Sequence, residues 1–303
     1  MNQPVAANPT IGTPSLSATI ELLKPITWFA PMWAFACGMV ASGASLEDRW
    51  PYLLAGMLLA GPLICGTSQA VNDWFDRHVD AINEPHRVIP SGRMPGTWGL
   101  RVAIANTLLS LVFAAFLGWW VIAASVVGLA LAWAYSAPPM RLKRNGWLGN
   151  AAVGLCYEGL PWFTAAAAAI GAFPGMPTVV VALLYSVGAH GIMTLNDFKS
   201  VEGDKRMGVD SLPVLLGPER AARLACWVMA LPQVAVIGLL LHWGFAIHAG
   251  IVALLLLLQV ACMARLLKDP RRFAAWYNAT GTTLFVLGMM VTAFAMRTLA
   301  TGG

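Results

Sequence analysis

Long apolar runs separated by short polar connectors fill most of the chain. Runs of membrane length lie near 26–43, 51–71, 100–118, 119–137, 147–170, 178–196, 222–241, 245–267 and 279–298. Each is close to the roughly 20 residues that cross about 30 Å of hydrocarbon as a helix. The pattern predicts an all-α, polytopic membrane protein with nine transmembrane helices. The third and fourth runs are joined by almost nothing, so they form a tight helical hairpin. Residues 1–23 hold no Lys or Arg and no run resembling a signal peptide, and read as a flexible cytoplasmic tail ahead of one domain over 24–303.

Composition sharpens this reading. The chain of 303 residues is 58% hydrophobic and 11% charged, with mean hydropathy +0.67, whereas a soluble domain carries about 25% charged residues. Of the 19 basic residues, 17 fall in connectors on one side of the predicted membrane, leaving Arg49 and Arg297 opposite. Positive connectors are retained in the cytoplasm, which predicts a cytoplasmic amino terminus and a carboxyl terminus on the other side. The net charge of +5 therefore describes one basic membrane face, suited to anionic headgroups and to a diphosphate rather than to nucleic acid. Cys37, Cys65, Cys156, Cys226 and Cys262 lie inside apolar runs without close pairs, which argues against disulfides and zinc.

Two acidic segments, Asn72 to Asp80 and Asn196 to Asp204, stand 124 positions apart at the ends of apolar runs on the basic side. Ionisable groups at such places are expensive and usually functional. On a helix Asp73, Asp76 and Asp80 share one face beside Asn72. Three carboxylates held that close repel one another unless a cation or bases neutralise them. Magnesium suits them, because it takes hard oxygen ligands and commonly uses one or two carboxylates plus substrate phosphate. Asp197 and Asp204 repeat the seven-residue spacing, with Asn196 preceding them. Ordinary solvated helix ends are the competing explanation, weakened because the pattern recurs on one membrane face.

Basic residues surround both segments: Lys24, Arg77, Arg87, Arg93, Lys143, Lys205 and Arg206. Arg offers a fork to phosphate oxygens and Lys a compact charge, although all of them also serve as topology signals. The stretch from Tyr135 through Pro138, Pro139 and Lys143 ends the fourth run, and its prolines extend the chain so that Lys143 can be aimed back over the acidic cluster. Glu158 stands mid-run without a basic neighbour, which suggests an acceptor pocket or an interhelical hydrogen bond. His190 and Trp162 are open to either a substrate contact or simple packing.

The NDxxDxxxD segment at Asn72, RxIPSGR at Arg87, YSxPPxRLKR at Tyr135 and the second acidic segment from Asn196 resemble the UbiA superfamily of intramembrane prenyltransferases. Within it the chain is most similar to the chlorophyll and bacteriochlorophyll synthases, through Asn196 to Arg206 and Tyr157-Glu158-Gly159-Leu160-Pro161-Trp162. Val201 breaks the denser DxxxD of quinone-directed members. The resemblance implies a helical ring around a central cavity open to lipid, capped on the cytoplasmic side. It implies transfer of a geranylgeranyl or phytyl group from its diphosphate to the propionate of a (bacterio)chlorophyllide, in a bacterial inner or photosynthetic membrane. Magnesium held by Asn72, Asp73, Asp76, Asp80, Asn196, Asp197 and Asp204 would grip the diphosphate. Lys24, Arg77, Arg87, Arg93, Tyr135, Lys143, Lys205 and Arg206 would line it, and Tyr157, Glu158, Trp162 and His190 would face the acceptor. Prenylation of an aromatic acid or of haem, or ion-coupled transport, are the alternatives.

Overall fold

The structure is a computed structural model and describes residues 12–302. Most of these residues are helical, as the apolar runs predict. Among the described residues eight helical segments are long and apolar enough to cross a membrane, and a shorter apolar helix stands where the first of the nine was expected. That helix, α2 (Phe29–Ala41), is cut to 13 residues at both ends. A 3₁₀ turn over Pro25–Thr27 occupies its approach, and Gly43 turns the chain with φ 77° just after it. Part of the predicted tail, residues 1–11, lies outside the described residues. Its remainder departs from expectation: α1 (Leu16–Leu22) is capped by the Ser15 side chain and buries Ala18 and Leu22.

The second run becomes α3 (Leu46–Leu58), a π-helical stretch Leu59–Cys65 and α4 (Gly66–Asn83). The hairpin of α5 (Trp98–Leu117) and α6 (Trp119–Ser136) follows, turning at Gly118. Then come α7 (Gly146–Gly154), a second π-helical stretch Leu155–Gly159 and α8 (Leu160–Ile170). The chain continues through α9 (Met176–Asn196), short α10 (Val201–Met207) and α11 (Leu212–Leu216), then α12 (Pro218–His242), α13 (Ala246–Leu266) and α14 (Pro270–Ala300).

Neighbours in space close a ring. The hairpin packs on α4, α7 packs on α9, α9 on α12, α12 on α13, α13 on α14, and α14 returns to α2, which meets α3. Lipid gives helices no hydrophobic reason to associate, so close backbone approach and interhelical hydrogen bonds must hold the ring. Both are present. A Cβ at Gly38 would fall 2.1 Å from the Trp162 carbonyl oxygen, and one at Gly154 2.5 Å from that of Ser186, so glycine alone permits these crossings. Gln233 of α12 and Gln259 of α13, both fully buried, exchange hydrogen bonds at 3.1 and 2.9 Å.

The π-helical stretches free backbone carbonyls that lipid cannot satisfy. At the first, Asn106 of α5 donates to Pro62 O at 3.1 Å and Leu63 O at 2.9 Å. Thr67 donates to Leu63 O as well, at 2.7 Å. The irregularity is thus supported by specific polar partners.

Candidate active site

Both acidic segments open onto one cavity of about 880 Å³ at the end of the helical ring. Asn72, Asp76 and Asp80 reach it from α4, and Asp197 and Asp204 from the turn after α9 and from α10. The four-residue spacing of Asn72, Asp76 and Asp80 on α4 and the 3₁₀ turn at Asp197–Lys199 explain why these groups face inward together.

The two groups differ in charge pairing. Asp76 binds Lys143, and Asp80 accepts from Arg87 at 3.0 Å. Among the described residues Asp197, by contrast, accepts only from Asn150 at 3.2 Å, and Asp204 from the Ser200 hydroxyl at 3.0 Å. Burial depresses the Lys143 ammonium below its ordinary value, partly against the pull of Asp76. Burial also pushes the Arg87 guanidinium down, but Asp73, Glu84 and Asp80 together outweigh it and hold Arg87 above its usual value.

Backbone conformation aims two of the bases. Lys24 (φ 48°) and Arg141 (φ 44°) are the non-glycine residues with left-handed backbone among those described, a conformation that costs side-chain-bearing residues energy and clusters at functional sites. Lys24 sends its Nζ to Asp73 at 2.6 Å. Arg141 starts the 3₁₀ turn that carries Lys143. Arg93, expected on the diphosphate, forms a two-pronged pair with Glu21 at 2.6 and 2.7 Å instead. It thereby ties α1, and with it Lys24, to the connector after α4; the same contact draws the Glu21 carboxyl below its usual range.

Other expected residues also lie elsewhere. Asp73 is buried beside Lys24 and Arg87 rather than facing the cavity. Arg77 stacks on Trp74 at 4.1 Å and donates to its carbonyl. Lys205 and Arg206 are exposed on the outer side of α10. Asn196 accepts from Asn278 of α14 at 2.7 Å, because that partner, 82 positions away, draws its side chain out of the site. Glu158 and Trp162 are buried in the ring wall, where Trp162 stacks on Tyr185 at 5.8 Å. His190 rests against Trp147 at 5.8 Å. Only Tyr157 of the four expected acceptor residues reaches an interior space, an apolar hollow of about 220 Å³ that shares Asn72 and Tyr135 with the polar cavity.

Sequence reading passed over Asn150, Arg141, Arg144, Lys199 and Ser200, all of which line the polar cavity. Arg141 and Arg144 sit in the stretch beginning at Tyr135 and were visible as basic neighbours of Lys143. Asn150 carried no signal, since its value depends on Asp197 arriving opposite. Among the described residues no three His, Cys, Asp or Glu side chains already form a ligating group. Hard oxygen donors from both segments nevertheless face one space, a donor set suited to a divalent cation whose shell is completed by phosphate.

The chain matches the UbiA prenyltransferase family over residues 31–286. It is 59% identical over 286 residues to the bacteriochlorophyll synthase 33 kDa chain of Cereibacter sphaeroides, covering 94% of this chain and 95% of that protein. It is 54% identical to the corresponding protein of Rhodobacter capsulatus, covering 94% of each. The chloroplastic chlorophyll synthase of Oryza sativa is 39% identical, covering 91% of this chain and 76% of that one. A solved UbiA homolog from Archaeoglobus fulgidus bound to GPP and Mg2+ shares the fold, with TM-score 0.69 at 21% identity over 88% of this chain and 99% of that one.

Proposed function

Since this chain belongs to the UbiA prenyltransferase family, an integral membrane family, we propose that it esterifies a (bacterio)chlorophyllide with a geranylgeranyl or phytyl group taken from the diphosphate. It is a prenyltransferase of the bacteriochlorophyll synthase type. One observation carries the site assignment: carboxylates from both acidic segments and bases from three connectors line a single polar cavity that continues into an apolar hollow. A diphosphate with an apolar tail has that polarity.

Asp76, Asp80, Asp197 and Asp204, with Asn72, would hold magnesium. Bound there, the ion would neutralise charge gathering on the leaving diphosphate. Arg87, Lys143, Arg141 and Arg144 neutralise the remaining phosphate charge; Lys143 and Arg87 exchange a carboxylate partner for phosphate as substrate enters. Asn150 holds Asp197 oriented toward the cavity. The bond between the allylic carbon and the diphosphate oxygen breaks, and the propionate oxygen forms the new ester bond to that carbon. A propionate, with an ordinary carboxylic pKa of about 4, is already ionised at neutral pH, so no general base is needed.

Membranes containing the protein, magnesium and geranylgeranyl diphosphate, supplied with chlorophyllide a, bacteriochlorophyllide a and 4-hydroxybenzoate, test the reading by mass spectrometry. The expected product is the macrocycle ester. Product from the benzoate alone would overturn the assignment.

A further inference from the structure

Beneath the polar cavity the interior is apolar, and it forms two spaces in series. The hollow of about 220 Å³ is reached past Asn72 and Tyr135. A smaller one of about 30 Å³ lies beyond, and the two share Ala60, Ile64, Gly128 and Cys156 as their common neck. Phe35, Pro161 and Thr164 are among the residues lining the far compartment.

Three of the four neck residues come from the π-helical stretches: Ala60 and Ile64 from Leu59–Cys65, Cys156 from Leu155–Gly159. Such wide turns are unfavourable and cluster at functional sites. Here both are spent on the same constriction. The fourth, Gly128, supplies no side chain, and a Cβ there would meet only the tips of Ile64 and Leu160 at 3.7 Å.

The far compartment also holds a polar group with nothing to bind. Ser125 is 1% exposed, lines the compartment, and its Oγ has no hydrogen-bond partner. Its neighbour Thr164 is satisfied, donating to Leu160 O at 2.6 Å. A buried hydroxyl left unpaired is costly, so its survival in an otherwise apolar space points to a partner that arrives with the ligand.

Resting on the reading above, we propose that the far compartment seats the last isoprene unit of a four-unit prenyl tail. Gly128 is the passage to it, and the Ser125 hydroxyl donates to that unit's carbon–carbon double bond. Length agrees: Tyr135 and Ser125 are ten residues apart on α6, an axial rise of about 15 Å. An extended chain advances about 1.2 Å per bond, so three isoprene units of four main-chain bonds span that rise and the fourth lies at Ser125. A geranyl tail stops in the first hollow. A phytyl tail reaches the compartment but brings no double bond there, and leaves the hydroxyl unpaired. The channel thus discriminates by length and by saturation.

The test uses the full-length protein in lipid nanodiscs with geranylgeranyl, phytyl and geranyl diphosphates and one macrocycle acceptor. Gly128→Leu is expected to lower the geranylgeranyl-to-geranyl ratio of kcat/KM at least ten-fold. Ser125→Ala is expected to lower the geranylgeranyl-to-phytyl ratio by roughly two- to five-fold, the worth of a weak hydrogen bond to a π system. Thermal unfolding confirms that both variants fold. The same ratios are read as dissociation constants of the S-thiolodiphosphate analogues, which need no turnover. An unchanged length ratio in folded Gly128→Leu would overturn the seating, and an unchanged saturation ratio in Ser125→Ala would overturn the hydroxyl's part in it. Absence of transfer by the wild type from all three donors would strike the earlier functional reading instead, while the binding ratios still decide the tail site.

Discussion

Asp76 and Lys143 concentrate the chemistry of the polar cavity in one contact. Asp76 faces the space that the second acidic segment also faces, so replacing it by Asn removes a charge without changing shape. Transfer is expected to fall about 10²–10³-fold in Asp76→Asn, the scale on which a single electrostatic group acts on a transition state. A retained thermal unfolding midpoint, measured alongside turnover, assigns the loss to chemistry. Lys143 supplies a pH signature. Burial holds its ammonium below the ordinary 10.5, so the cation is lost, and activity with it, at a lower pH than a surface lysine would give. Between its folded and unfolded pKa values the unfolded chain binds more protons, and stability therefore rises with pH over the window in which activity falls. Lys143→Arg, which stays charged, is expected to move the alkaline limb of the kcat/KM profile upward; an unmoved limb would exclude Lys143 as the group responsible.

At the level of helices, polar contacts decide what small residues alone cannot. Gln233 and Gln259 satisfy each other inside the α12–α13 crossing. Gln233→Leu alone leaves a buried amide unpaired and is expected to cost about 1–2 kcal/mol, whereas the double change to Leu is expected to regain most of it. Thermal unfolding of the two singles and the double in detergent measures the cycle. The elements themselves were legible in the sequence, since apolar runs of about 20 residues leave few other structures possible in lipid. The π-helical stretches were not, because Leu59–Cys65 lies inside an apolar run and its Gly61-Pro62 pair, which a membrane helix tolerates, does not specify a wide turn. Within the site, the inward face of Asp76 and Asp80 followed from helical spacing, while the fate of Asn196 depended on Asn278, which no local pattern reveals. Arg93 was read as a phosphate ligand for the same reason: its charge was visible and its partner on α1 was not.

The whole molecule is a ring whose last helix closes on α2. Its basic residues gather around the polar cavity and the connectors beside it, which predicts one face toward the cytoplasm. Single cysteines placed at Lys205 and at Arg49, in a background without reactive native thiols, are expected to label from opposite sides of sealed vesicles. Labelling of both from one side would contradict the orientation. The family likeness fits this scale best: the distant solved relative shares the ring at 21% identity, so the architecture tolerates wide change in sequence. The cavity floor and its connectors are where the chain's own substrate must be written.

Length inside the Leu59–Cys65 stretch matters as much as identity. Removing one residue there would let the segment relax into an ordinary α-helix and turn everything after it by about 100° about the helix axis. Asp76 and Asp80 would then point at a neighbouring helix or at lipid, though every functional side chain remained in the chain. The π-helical turn sets the rotational phase of the helix that bears the first acidic segment, so a deletion in a purely apolar stretch would silence residues more than ten positions away.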